Sequence, residues 1–337
     1  MKSNEQGVLQ KGKLINLPVQ FLLLVIFLTH NLSTETLAAD TLKHEKTTQK
    51  QHVFISYSQD NALLSNIAQT LSDNLSAKLP DIIISNVSPD KEITDIENHA
   101  NIVIGIGSAG ISNAKRNYPK TNKLFISTDP EKFKLDKNTN KNDAVLYMTQ
   151  SYCRQIQFIK LINHDWKVIS LLNSQNKPVD TKKIQRCANK YGITIYTVNT
   201  SSEGNMTDHV KDALKHSDAL LALPDKNIYN SHTVKNILLT SYRHRKPVIA
   251  FSKNFVNAGA LASIHSSVEH VAHSASTLIE HYFKRDNRFK KPVNHPQSFD
   301  ISINRQVFRA LEIPSPDINK LEQILKQLES GKTGNGQ

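Results

Sequence analysis

The sequence predicts an α/β protein of two similar lobes in tandem, each a parallel sheet with helical crossovers. Three observations predict it. First, residues 219–223 and 248–251 are apolar runs of strand length, and residues 233–242 between them set Val234, Ile237, Leu238 and Tyr242 at helical spacing. Two buried strands joined by a helix should be parallel neighbours. Second, the same strand–helix alternation begins at His52 and begins again from Ala144, although no close sequence repeat accompanies it. Third, polar residues follow the apolar runs, Asp225 after one and Ser252 after the other. Ligands of open parallel sheets sit in crevices beyond the strand carboxyl ends, where those groups fall.

At 337 residues, 38% apolar and 21% charged, the chain suits two ordinary domains. Residues 21–28 (FLLLVIFL) follow Lys2, Lys11 and Lys13 and precede small residues at 36–39, the pattern of an export signal. That run is far shorter than the about 20 residues of a spanning helix; an uncleaved anchor stays as the alternative because the leading segment is long and contains Glu5. No cysteine follows it to carry a lipid. Periplasmic localisation is expected. The net charge is +12, and +11 once residues 1–39, with three lysines and two glutamates, are removed. The lysines are scattered; the one dense cluster, Arg243, His244, Arg245 and Lys246, ends a helix, where cations complement the dipole. With export, this argues against a nucleic-acid partner. Cys153 and Cys187 either pair in an oxidising compartment or stand as buried free thiols.

In chain order, residues 40–51 are a polar leader and 52–58 the first strand. A helix at 62–79 carries Leu63, Ile67, Leu71, Leu75 and Leu79 at steps of four. A second buried strand is expected at 82–85, a short helix at 93–99 and a third strand at 101–104. There Gly105, Gly107 and Gly110 form a Gly-x-Gly-x-x-Gly run before a helix. Its acidic partner would have to be Asp129, so dinucleotide binding is not expected. Either the backbone N–H groups beside Ser108 face an anionic or polar ligand group, or Gly105 and Gly110 simply permit a tight turn. The fourth strand, 123–127, ends near Asp129-Pro130, and a lysine- and asparagine-rich loop follows at 131–142.

From the lobe boundary near Gln150 come a helix at 156–162, a strand at 166–173, a helix at 181–191, a strand at 193–198 and a helix at 206–216. A helix at 266–283 has the core stripe Val268, Val271, Ala272, Ala275, Leu278, Ile279 and Tyr282. His270, His273, His281, Glu269 and Glu280 fall off that stripe without a His-Glu-x-x-His signature, and read as a solvated face, not a zinc site. A strand at 299–304, a helix through Leu311 and an amphipathic helix at 317–328 precede a loose tail.

Several short pieces occur in a telling order: Gly107-Ser108-Ala109, Asp129-Pro130, Leu223-Pro224-Asp225, the 246–252 strand (KPVIAFS), Gly259-Ala260-Leu261-Ala262, Ile303-Asn304, Ala310-Leu311 and Ile313-Pro314. Over residues 52–314 the chain resembles the ABC-transporter substrate-binding proteins of the tryptophan/tyrosine-binding type. It departs from them at Pro224-Asp225, which lacks an intervening residue, at Ser263-Ile264-His265-Ser266-Ser267, and at Ser56-Tyr57-Ser58. The resemblance implies the type I periplasmic-binding fold: two doubly wound lobes joined by three hinge crossings, expected near Gln150, 254–258 and 292–297. The domains would be a signal peptide (1–39), a leader (40–51), a first lobe (52–150, completed by about 259–291), a second lobe (151–258, completed by about 298–316), and a C-terminal helix and tail (317–337).

The implied function is an exported solute-binding protein that closes on a small molecule and delivers it to the permease of an ABC importer. The alternative is a ligand-sensing protein that signals to a membrane sensor. An amino acid or similar polar solute is the implied ligand, and the departures leave its class open. The candidate ligand residues are Asp225, Ser108, Asn173, Asp129, Ser252 and Tyr57. Asp225 would meet a cationic or hydroxyl group, and Ser108 with neighbouring N–H groups a carboxylate or other acceptor. Asp129 either receives a ligand ammonium or caps a turn, and Tyr57 either stacks on a planar ligand or fills the lobe interface. No nucleophile elbow, zinc-protease, Cys-x-x-Cys or Walker signature is present, so no enzyme activity, cofactor or metal is expected. A DNA-binding repressor shares such lobes, but the export segment stands where its helix-turn-helix would be.

Overall fold

A computed structural model describes residues 50–87, 100–127, 133–136, 139–175, 179–200 and 205–329. The export segment, residues 40–49 of the leader, the helix expected at 93–99, Asp129 and the C-terminal tail lie outside the described residues.

The first lobe comprises β1 (His52–Tyr57), α1 (Ala62–Lys78), β2 (Ile83–Val87), β3 (Ile102–Ile106), α2 (Gly107–Asn117), β4 (Lys123–Ser127) and β5 (Ala144–Tyr147). The second comprises α3 (Tyr152–Ile162), β6 (Val168–Ser174), α4 (Thr181–Asn189), β7 (Thr194–Thr200), α5 (Met206–Lys215), β8 (Ala219–Leu221), α6 (Val234–Arg243), β9 (Val248–Ala250), α7 (Lys253–Asn257) and β10 (Ala262–His265). The chain then returns to the first lobe as α8 (Val268–Phe283) and β11 (Val293–Asn294). It ends on the second with β12 (Asp300–Ile303), α9 (Arg305–Ala310) and α10 (Ile318–Glu329).

Each lobe holds a six-stranded sheet, ordered β11-β5-β4-β3-β1-β2 and β12-β10-β9-β8-β6-β7. Every pairing is parallel except β10 with β12. The central strands read as unbroken apolar runs because both their faces are covered. In β1, Val53 and Ile55 face the core under α1 and α8, while Phe54 faces the opposite core with Ile111 and Ala114 of α2. The second sheet is sandwiched likewise, and α10 closes one side by seating Leu321 and Leu325 in the core of α3.

Four expectations need correction. In α1 the buried stripe is Leu64, Ile67, Ala68, Leu71 and Leu75, and Leu63 is exposed. A step of four overshoots the helical turn by about 40°, so a strict four-residue row spirals off the core face. Tyr242 leaves the stripe of α6 for the same reason and is exposed, while Ser241 is buried in its place. The second strand is a sheet edge with an exposed Ile83, not a buried strand. Finally, a strand lies between Gly259 and the 268–283 helix. β10 pairs with β9, so residues 259–265 belong to the second lobe and the second crossing falls at 266–267, not at 254–258, which form α7. Its polar residues hid it: Ser263 is fully buried, with its hydroxyl 3.1 Å from His265 Nδ1.

Cys153 of α3 and Cys187 of α4, 34 positions apart in sequence, form a disulfide with Cα atoms 5.0 Å apart, so the free-thiol alternative is not realised. Closing a loop of that length in the unfolded chain should stabilise the fold by about 3–4 kcal/mol. Denaturant unfolding of the Cys153→Ser/Cys187→Ser protein should show a loss of that size with α3 and α4 still helical. An unchanged midpoint would show that the bridge adds nothing.

Candidate functional site

In each sheet the chain order reverses beside its first strand: β2 and β3 flank β1, and β7 and β8 flank β6. Such switch points open a crevice at the strand carboxyl ends, because the following helices go to opposite faces. All three crossings between the lobes also run along these edges. The first leaves β5 at Tyr147 and enters α3; the second leaves β10 at His265 and enters α8. The third leaves β11 at Asn294 and enters β12 at Asp300, which pairs with His265. The crossings therefore join the carboxyl edge of one sheet to that of the other.

At the first-lobe edge, β3 runs into α2 through Gly107, whose φ of +69° suits glycine. Ser108 and Ala109, in the first turn, are exposed, and no side chain caps this helix. Unpaired first-turn N–H groups and the helix dipole favour an anionic or acceptor group there. Gly105 and Gly110 serve packing, not the turn. A Cβ on Gly110 would stand 2.0 Å from the Ser56 carbonyl oxygen, and one on Gly105 2.8 Å from the Gly110 oxygen. These glycines let α2 lie directly on β1 and β3. Tyr57, the last residue of β1, is half-buried against the core under α1.

The second-lobe edge is more tightly organised. Asp225, following β8, is 7% exposed. Its carboxylate accepts from the Ser174 hydroxyl at 2.5 Å and the Asn227 N–H at 2.9 Å, which clamps the β8 loop to the end of β6. Asn173 is half-buried; its amide donates to Asn199 at 2.7 Å and accepts the Val179 N–H at 2.8 Å. Ser252, after β9, caps α7 by accepting the Phe255 N–H at 3.3 Å. Helix α6, which follows β8, also has no side-chain cap: Thr233 Oγ1 turns back to accept the Asn230 N–H at 3.2 Å and donates to the Ile228 carbonyl.

Of the sequence-predicted residues, Ser252 lines a groove of about 780 Å³ on the second lobe. Tyr229, Phe251 and Phe255 form an aromatic cluster in its wall, with ring centroids 5.5–6.1 Å apart. Burial and the neighbouring Asp225 push the Tyr229 phenol far above its ordinary pKa, so it is a neutral hydroxyl at every physiological pH. Among the described residues no group of three His, Cys, Asp or Glu side chains could hold a metal ion. No helix among them is long and apolar enough to cross a membrane.

Against this geometry, the family described as ABC transporter substrate binding protein matches residues 128–327, more than half of the chain. The chain belongs to that family. A search of curated proteins returns no match. Among solved structures, this substrate-binding protein is similar to the ABC domain in complex with L-Trp from Streptococcus pneumonia. The two share 18% identity over 81% of this chain and 98% of that one, with a TM-score of 0.52. A conserved domain protein from Vibrio cholerae shares 16% identity over 81% and 98%, TM-score 0.53. A ligand-free, open substrate binding protein with adhesive properties from Clostridium difficile shares 15% over 79% and 96%, TM-score 0.59. At these identities the likeness establishes the fold: two α/β lobes of the type I periplasmic-binding architecture.

Sequence reasoning missed Ser174 as the partner of Asp225. Its signal was present in the polar turn at the end of β6, beside Asn173, but 51 residues separate the two in the chain. It also missed the aromatic cluster, although Phe251 and Phe255 stand four residues apart directly after a strand.

Proposed function

We propose that this protein closes its two lobes on a small polar solute outside the cytoplasm and delivers it to an ABC importer. The observation that carries this reading is that all three crossings join the two carboxyl edges, so a rotation about them opens or shuts the space between both switch points. A ligand touching both edges binds the shut form better and shifts the population toward it, creating a surface for a membrane permease. The disulfide fits an oxidising compartment such as the periplasm.

The two edges suit a zwitterionic ligand, such as an amino acid or a similar solute. The start of α2, beside Ser108 and without a side-chain cap, offers N–H donors to a carboxylate. Asp225 spends two bonds on Ser174 and Asn227, and an ionised carboxylate has about four acceptor positions, which leaves capacity for a ligand ammonium or hydroxyl. Asn173, Ser252 and Tyr57 complete the set at neighbouring strand ends, with Asp129 after β4. The complex of the pneumococcal relative with L-Trp supports an amino-acid class.

A thermal-shift screen against amino acids, nucleosides, sugars and small peptides tests the reading. A true ligand at about 100 times its dissociation constant should add about 2.7 kcal/mol of stability. Failure of every class to shift the melt overturns it. With a ligand in hand, Asp225→Asn should weaken binding about 10- to 100-fold, the worth of one hydrogen bond to a charged group. Unchanged affinity would remove Asp225 from the site. A sensory role, signalling to a membrane sensor protein, shares this closure. Capture of a permease and its ATPase, or of a sensor, by the liganded protein separates the two.

A further inference from the structure

The three crossings are tied together by one buried side chain. Gln150, 3% exposed on the first crossing, donates from Nε2 to the Ser266 hydroxyl on the second at 2.6 Å and to the Ser298 carbonyl on the third at 3.3 Å. Its Oε1 accepts from Arg154 Nη1, which also donates to the Pro296 carbonyl at 2.7 Å. Its own carbonyl accepts from Gln155 Nε2 at 3.0 Å. The Arg154 guanidinium lies 5.0 Å from the centre of the Phe299 ring, and His295 Nδ1 bonds the Thr149 carbonyl at 2.8 Å. Both Gln150 and Arg154 are more than nine-tenths buried, so water does not compete for these bonds.

We propose that Gln150 is a positioning residue that fixes the angle between the lobes, and so sets how much of the ligand's binding energy goes into closing them. This deepens the closure reading above and rests on it. A hinge of three free strands would sample many angles; three strands pinned to one amide swing as a unit. Two further oxygens nearby, Thr149 Oγ1 on the first crossing and Gln155 Oε1 in the first turn of α3, are buried and take no donor in this arrangement. Unsatisfied buried acceptors favour any second angle that supplies donors. Weakening the Gln150 bonds should therefore release angles other than the pinned one.

The test uses the full chain without ligand, so it reads the hinge whether or not a ligand is ever found. Nitroxide labels on Leu63→Cys in α1 and Lys211→Cys in α5, with the native disulfide kept oxidised, report the distance between lobes by pulsed electron resonance. The parent should give one narrow distance distribution. Gln150→Ala should broaden it or add a second population. Gln150→Glu, which still accepts from Arg154 and can accept from the Ser266 hydroxyl but sets an oxygen against the Ser298 carbonyl, should do the same by freeing the third crossing. Ser266→Ala, which loses one bond, should do so more weakly. If Gln150→Ala does not fold, the other two variants decide. Distributions that superimpose on the parent in folded Gln150→Glu and Ser266→Ala would overturn the proposal.

Discussion

Asp143→Ala is expected to lower the unfolding free energy by about 3–5 kcal/mol, the usual cost of breaking a buried ion pair by removing one partner. Asp143 and Lys123 are 2% and 3% exposed, at the amino ends of β5 and β4. Their charged atoms lie 4.0 Å apart. Asp143 also accepts the N–H groups of Lys123 at 2.8 Å and Asn140 at 2.9 Å, which fixes the start of two neighbouring strands. Lys123 Nζ donates to the Thr121 carbonyl at 2.6 Å. Burial dominates both titrations: it raises the Asp143 pKa and lowers that of Lys123, and the mutual attraction offsets it only in part. The sign follows for each. Raised in the fold, Asp143 favours folding as the neutral acid and loses that contribution as pH climbs through its folded pKa. Lowered in the fold, Lys123 favours folding as the neutral amine and loses it as pH falls through its own. Between the two both are charged at a cost, so Asp143→Leu with Lys123→Met should recover most of the loss. Urea unfolding of the single and double variants checks this; a double variant as unstable as Asp143→Ala would show that the backbone bonds, not the stranded charge, decide.

Gly110→Ala should cost at least about 4 kcal/mol, above the usual range for an overpacked core, because the obstacle is backbone. The new methyl would sit 2.0 Å from the Ser56 carbonyl oxygen and 2.7 Å from its carbon, and no side-chain rotation relieves that. Helix α2 would have to lift off β1, carrying Ser108 and the uncapped helix start with it, so ligand affinity should fall together with stability. Gly192→Ala is the control. Its φ is +63° and nothing lies within 4 Å of the added methyl, so only the left-handed backbone cost of about 1–2 kcal/mol applies. A melting temperature for Gly110→Ala no lower than for Gly192→Ala would refute the close-packing role.

The lobes were legible in the sequence because their central strands are buried on both faces. Runs such as KLFIS at 123–127 have no other good explanation, and helices long enough to show a stripe separate them. Strand β10 escaped because it is only four residues long: Ala262 and Ile264 do alternate with Ser263 and His265, but Ser263 is buried as well, with its hydroxyl beside the His265 ring, so the polar positions do not mark a solvent face. The carboxyl-edge positions of Ser108, Asn173, Asp225 and Ser252 followed from strand order alone. Their partners did not. Ser174 reaches Asp225, and Gln150 reaches Ser298, only once two elements far apart in sequence are brought side by side, and no local periodicity encodes such a meeting. The glycines illustrate a third case: their spacing was visible, but whether a glycine serves a turn or a backbone contact depends on what lies above it.

The opposed placement of the crossings and of the Lys123–Asp143 pair has a practical corollary. Under the proposed function recognition falls on the carboxyl rim of each sheet, while the far rim of the first-lobe sheet carries the Lys123–Asp143 anchor. On that reading, stabilising changes or an inserted reporter belong at the first lobe's far rim, where they should leave ligand affinity unchanged.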